Sequence, residues 1–187
     1  DLDYIKSIKK ISSIYCEPFS DSSQIVTIPL CDFASNYVKV CLTGDGGDEL
    51  FGGYVRYSYA EKIDSLKDYF SPRFLTIIKK ILLSIHPMFY DKIYNFLSST
   101  ILKNKISFVG DKIHKFGKVI DSESEKKIYF KILNLWENCT NDTNHFVDFL
   151  NFRKNNLWTS KIGIQRKMML SDLENYLVDD ILVKVDR

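Results

Sequence analysis

Residues 43 to 54 read Thr43-Gly44-Asp45-Gly46-Gly47-Asp48-Glu49-Leu50-Phe51-Gly52-Gly53-Tyr54, and no other stretch narrows so sharply what the chain can build. Three carboxylates within five residues repel one another. Ordered glycine carries a backbone entropy cost, so a merely structural turn would rarely be made this way. The preceding run, Val38-Lys39-Val40-Cys41-Leu42, is short, apolar and β-branched, which predicts a buried strand. Such a strand would feed a loop whose glycines let a ligand approach the backbone, with Asp48 and Glu49 where the next helix begins.

A bare phosphate would favour free N–H groups at that helix start, yet Asp45, Asp48 and Glu49 would repel it. A magnesium ion removes the conflict, because it takes carboxylate oxygens on one side and phosphate oxygens on the other. The loop therefore reads as a site for magnesium pyrophosphate or a magnesium nucleotide. It is not a Walker A loop, since no Gly-Lys-Ser/Thr follows, and Glu49 stands where a dinucleotide fingerprint needs its third glycine. The competing reading is a glycine-rich turn with capping acids.

Leu42 to Tyr54 resembles the L-S-G-[DE]-G-[GS]-D-E-x-F-G-G-Y segment of glutamine-hydrolysing asparagine synthetases. Glu17-Pro18-Phe19-Ser20-Asp21-Ser22-Ser23 is similar to the D-E-P-F-x-D-x-S stretch ahead of that loop. Tyr176-Leu177-Val178-Asp179-Asp180-Ile181-Leu182-Val183-Lys184-Val185-Asp186-Arg187 resembles the family's Y-L-P-D-D-I-L-V-K-V-D-R. The three segments come in the family's order and cover roughly residues 13 to 57 and 170 to 187. Two positions depart from the pattern: Cys16 replaces the aspartate before Glu-Pro, and Val178 replaces a proline.

The resemblance implies an α/β domain of the PP-loop ATP pyrophosphatase type, predominantly helical, that adenylates a carboxylate such as aspartate with ATP. Ammonia derived from glutamine then attacks, and AMP and pyrophosphate leave. By motif position, Asp48 would hold Mg2+ and pyrophosphate, and Thr43, Gly44, Gly46 and Gly47 would lie along the nucleotide. Asp45 stands where relatives often carry a glutamate that moves a proton as ammonia attacks. Glu17, Glu49, Lys184, Asp186 and Arg187 would neighbour the site. The implied cofactors are ATP and Mg2+, and a homodimer is one expected assembly. The family's Ser-Gly-Gly-x-Asp-Ser loop and its glutaminase domain are not found in the sequence, so half a site is expected, inactive by itself. Alternatives are a lactam-forming cyclase of the same superfamily and a non-catalytic helical interaction module.

Taken in order, Ile5, Ile8, Ile11 and Ile14 predict one apolar face of a helix that ends before Glu17-Pro18. Asp21-Ser22-Ser23 would cap a second helix running to Ala34-Ser35, interrupted or delayed by Pro29. A helix followed by a strand is the repeating unit of an α/β sheet, and ligands bind beyond the carboxyl ends of such strands, where the loop after Leu42 falls. Beyond Tyr57 the pattern turns helical, with expected breaks at Ser71-Pro72, His86-Pro87, Gly110, Gly117 and Asp121-Ser122. Residues 1–56 are expected to belong to the nucleotide-binding core, 57–164 to a helical insertion, and 165–187 to a return segment in which Asp179 caps the last helix. The aromatics of the insertion, Phe70, Phe74, Phe89, Tyr90, Phe96, Phe108, Phe116, Tyr129, Phe130 and Trp136, are expected in its core.

Hydrophobic residues make up 45% of the chain, enough to bury a sizeable core. With Lys+Arg 26 against Asp+Glu 24, the overall charge gives no reason to expect nucleic acid or a membrane as partner. No apolar run approaches the ~20 residues of a bilayer span, and no signal peptide is visible. Four cysteines without CxxC spacing fit reduced thiols and a cytoplasmic location. The start at Asp1 and the stop inside a motif are those expected of a piece of a longer protein.

Overall fold

The structure is a computed structural model that describes residues 4–15, 21–101, 107–133 and 156–185. The chain divides into two compact units, one made of Asp1–Tyr54 with Met168–Arg187, the other of Val55–Lys167. Among the described residues the regular elements are all helical.

In the first unit, α1 (Tyr4–Ile14) packs on α2 (Gln24–Ala34). The helix expected from the isoleucines is present, but only half of them share its inner face: Ile11 and Ile14 are half-buried on the side of the buried Ser7, whereas Ile5 and Ile8 are exposed. A strict three-residue spacing turns back by about 60° at each step, so four such residues wind around the helix instead of sharing a side. α2 carries Pro29 in its interior and continues past it. Its start is organised by Asp21, whose carboxylate accepts the Ser23 N–H at 2.8 Å and the Ser23 hydroxyl at 2.6 Å.

Val38–Leu42 does not form the expected strand. It has no ladder partner among the described residues and is exposed, Leu42 at 96% and Val40 at 81%. β-branched composition favours extended backbone, but a strand exists only when a neighbour takes its hydrogen bonds. The five-residue helix α3 (Gly47–Phe51) follows directly after the acidic loop.

The second unit holds α4 (Val55–Tyr69), α5 (Pro72–Ser84), α6 (Pro87–Ile101), α7 (Val109–Val119), α8 (Glu125–Leu133) and α9 (Asn156–Thr159). α7 packs on α5, α6 and α8, and α4 packs on α8. Two helix starts follow the expected punctuation. Ser71 accepts the Phe74 N–H ahead of Pro72, and the Ser124 hydroxyl accepts the Lys127 N–H at 3.3 Å. Gly110 and Gly117, expected as breaks, both lie inside α7. A Cβ at Gly110 would overlap the carbonyl oxygen of Pro87, and one at Gly117 would press on Leu83 at 3.2 Å, so these glycines bring helices together instead of ending one. The core expectation for the aromatics holds for Tyr129, which is buried, and in part for Tyr90, Phe116 and Phe130, which are half-buried; it fails for Phe70, Phe74, Phe89, Phe96 and Phe108, all exposed, and Trp136 lies outside the described residues.

α10 (Ile164–Glu174) begins in the second unit and from Met168 belongs to the first. A π-helical turn, Leu177–Ile181, then leads into α11 (Leu182–Val185). Asp179 does not cap a helix start as expected. It lies within the π turn, and its N–H is donated to Asn175 O at 2.8 Å.

Candidate functional site

The acidic loop is shaped by its glycines. Gly46 (φ 84°) and Gly52 (φ 72°) stand in the left-handed region at the two ends of α3, a conformation that costs an L side chain about 1–2 kcal/mol. Gly47 N–H donates to Gly44 O at 3.1 Å, closing the turn that carries Asp45. The Asp45 N–H reaches the Thr43 hydroxyl at 3.4 Å. Gly53 N–H returns to Asp48 O at 3.0 Å, and a Cβ at Gly53 would overlap Asp48 Oδ1. The Asp48 carboxylate therefore rests over bare backbone. Asp45 and Asp48 are both exposed, as are Thr43 and Gly44, and nothing lies within 4 Å of a Cβ placed at Gly44 or Gly47.

Glu49 has turned the other way. It is fully buried, and its Oε1 accepts the Tyr54 hydroxyl at 2.6 Å. Its Oε2 is buried with no hydrogen-bond partner among the described residues. Tyr54 in turn meets Tyr176 edge-on, with ring centroids 6.2 Å apart. The Leu177 side chain covers Gly46, 3.4 Å from where its Cβ would be. The back of the loop is thus packed on the start of the return segment.

That segment also brings Lys184 to the loop. Its Nζ donates to Asp21 Oδ2 at 3.0 Å and to the Ser23 hydroxyl oxygen at 2.9 Å, while its backbone oxygen accepts from the Tyr15 hydroxyl at 3.2 Å. Burial alone would raise the Asp21 carboxyl, but the Ser23 hydroxyl and N–H and the Lys184 ammonium outweigh it and hold the carboxyl below its usual value. Burial would lower the Lys184 ammonium; the bond to Asp21 and the charges of Asp21, Asp45 and Asp180 outweigh it and raise it. Asp180 moves up, because burial and the Asp21 charge exceed the help of Lys184 and the Tyr176 hydroxyl. The Lys184 ammonium is thus fixed on Asp21 at the start of α2.

Of the residues singled out in the sequence, Thr43, Gly44, Asp45, Gly46, Gly47, Asp48, Glu49 and Lys184 all fall in this first unit. Glu17, Asp186 and Arg187 lie outside the described residues. Asp21, Tyr54, Tyr176 and Asp180 were not singled out as site residues. All four sit inside the quoted motif segments, and only the fold shows that Asp21 and Asp180 both face Lys184.

Residues 2–187 match the asparagine synthase family, and the chain belongs to it. It is 40% identical over 76 residues to "Putative asparagine synthetase (glutamine-hydrolyzing) 2" of Methanocaldococcus jannaschii, covering 41% of this chain and 14% of that protein. It is 27% identical over 185 residues to "Asparagine synthetase (glutamine-hydrolyzing) 1" of Bacillus subtilis, covering 99% of this chain and 26% of that protein. The chain thus spans about a quarter or less of the length of these relatives. No solved structure matches it.

Proposed function

We propose that the chain is the central part of an ATP-dependent amidotransferase that adenylates aspartate or a related carboxylate, accepts ammonia released from glutamine, and expels AMP and pyrophosphate. The single observation that carries this reading is the Asp48 carboxylate seated over Gly53, beside an open, glycine-lined turn that presents Asp45. Residues 1–56 and 165–187 would form part of a nucleotide-binding core of the PP-loop type, and 57–164 would be a helical insertion.

The donor set suits magnesium. No group of three metal-ligating side chains occurs among the described residues, so a cation here would draw on Asp48, and on Asp45 from across the turn, and otherwise on phosphate oxygens and water. That is the usual manner of magnesium, which keeps much of its shell outside the protein. When bound, magnesium supplies positive charge against the departing pyrophosphate. Thr43 and Gly44 line the approach of the AMP portion, where the missing Cβ of Gly44 leaves room. Asp45 would accept a proton as ammonia attacks. Lys184 is held by Asp21 and Ser23. Residues 1–187 alone are expected to be inactive and to bind magnesium ATP weakly; micromolar affinity in a calorimetric titration would contradict this.

The test is nucleotide- and aspartate-dependent release of pyrophosphate by the full-length protein. Asp48→Asn should cut the rate by about a hundredfold or more while circular dichroism stays unchanged. Unchanged turnover would leave the loop a turn and nothing else.

A further inference from the structure

The buried side chain of α3 is a carboxylic one. Glu49 is fully enclosed, whereas its neighbour Asp48 stands exposed on the turn. Consecutive helical positions differ by about 100°, so the direction in which Glu49 is held sets the direction in which Asp48 points. A helix of five residues has too few hydrogen bonds to keep its own orientation, and tertiary contacts must supply it. Three meet here within the first unit: the Tyr54 hydroxyl donates to Glu49 Oε1 at 2.6 Å, Tyr54 meets Tyr176 edge-on, and Leu177 covers Gly46. Tyr176 directly precedes the π turn and Leu177 opens it. Two neighbours are thus joined to two neighbours, Asp48 to Gly53 through the backbone at 3.0 Å and Glu49 to Tyr54 through side chains.

Stability does not account for a carboxyl group in that place. Enclosing it costs free energy that one hydroxyl contact offsets only in part, and Glu49 Oε2 has no hydrogen-bond partner among the described residues. An apolar side chain of similar size would pack as well. What it would not give is direction, because apolar contact is non-directional whereas a hydrogen bond is short and aligned. We infer that Glu49 is a positioning residue: held by Tyr54, it locks the rotation of α3 and so keeps the Asp48 carboxylate over Gly53. This rests on the reading of Asp48 as a ligand of magnesium pyrophosphate.

The test is titration of pyrophosphate into the full-length protein with magnesium present, alongside urea midpoints for the same variants. Tyr54→Phe leaves the Glu49 carboxyl without its hydroxyl donor and should lower both the midpoint and the affinity, the affinity at least about fivefold. Glu49→Met/Tyr54→Phe replaces the pair by apolar groups of similar size. It should return the midpoint close to that of the wild type while the affinity stays at least about fivefold down. In an Asp48→Asn background Tyr54→Phe should cost less than about a further twofold, because its effect passes through that carboxylate. An affinity that recovers together with the midpoint, one unchanged in Tyr54→Phe, or equal losses with Asp48 present and replaced would overturn this inference alone. Should Glu49→Met/Tyr54→Phe not fold, Tyr54→Phe in the two backgrounds decides. Wild-type affinity in Asp48→Asn by itself would overturn the magnesium reading, and this inference with it.

Discussion

Lys184 Nζ lies 3.0 Å from Asp21 Oδ2, joining positions 163 residues apart and fastening the return segment to the start of α2. Both side chains are mostly buried, at 14% and 21% exposure, so water screens the pair weakly. Asp21→Asn should lower stability by about 1–3 kcal/mol near neutral pH, read from urea midpoints. The folded Asp21 carboxyl titrates below its usual value. Its contribution is therefore present above the unfolded value of about 4 and is lost as pH falls through the folded one. The gap between wild type and Asp21→Asn should close as the buffer is taken below about pH 4.

Asp180 should behave in the opposite sense. Burial and the Asp21 charge raise its carboxyl, so the ionised form is disfavoured in the fold. Its contribution is present below the unfolded value and is lost as pH rises through the folded one. Asp180→Asn should leave the urea midpoint unchanged in acid and raise it near neutral pH, by no more than about 0.5 kcal/mol given its partial exposure.

Gly53→Ala should disturb the site more than the fold. The added methyl overlaps Asp48 Oδ1, the end of a side chain that can swing away, in an exposed turn. A midpoint change within about 1 kcal/mol, with pyrophosphate release down at least about tenfold, is the expected outcome. Gly46→Ala, strained at φ 84°, should lose both stability and activity.

The two glycines of α7 separate backbone from side-chain crowding. Gly110→Ala drives a methyl into the Pro87 carbonyl group, so a helix must shift, and a loss of about 2–4 kcal/mol is expected. Gly117→Ala meets only Leu82 and Leu83 side chains at 3.2 to 3.4 Å. The helix preference for alanine offsets that crowding, leaving a change within about 1 kcal/mol in thermal or urea denaturation.

Local signals could be read directly from the sequence. Ser71-Pro72 and Ser124 start helices because a hydroxyl cap and a proline act through their nearest neighbours. Signals whose meaning depends on distant partners could not. Val38–Leu42 has strand composition without a ladder among the described residues, and Gly110 looks like a helix stop until Pro87 is seen above it. At the loop, residue types drew attention to Asp45 and Asp48, which the structure shows exposed on a glycine-lined turn. The roles of Tyr54, Tyr176 and Asp180 needed the fold, since each acts through a residue far along the chain or through a turn that periodicity does not describe.

The most direct measurement is calorimetric titration of pyrophosphate into the full-length protein, with and without magnesium, for wild type and Asp48→Asn. Binding should require magnesium and weaken at least about tenfold in the variant, because on the proposed reading the carboxylate over Gly53 would reach the diphosphate only through a divalent cation. Equal affinity without magnesium, or an unchanged affinity in Asp48→Asn, would contradict the assignment of the loop.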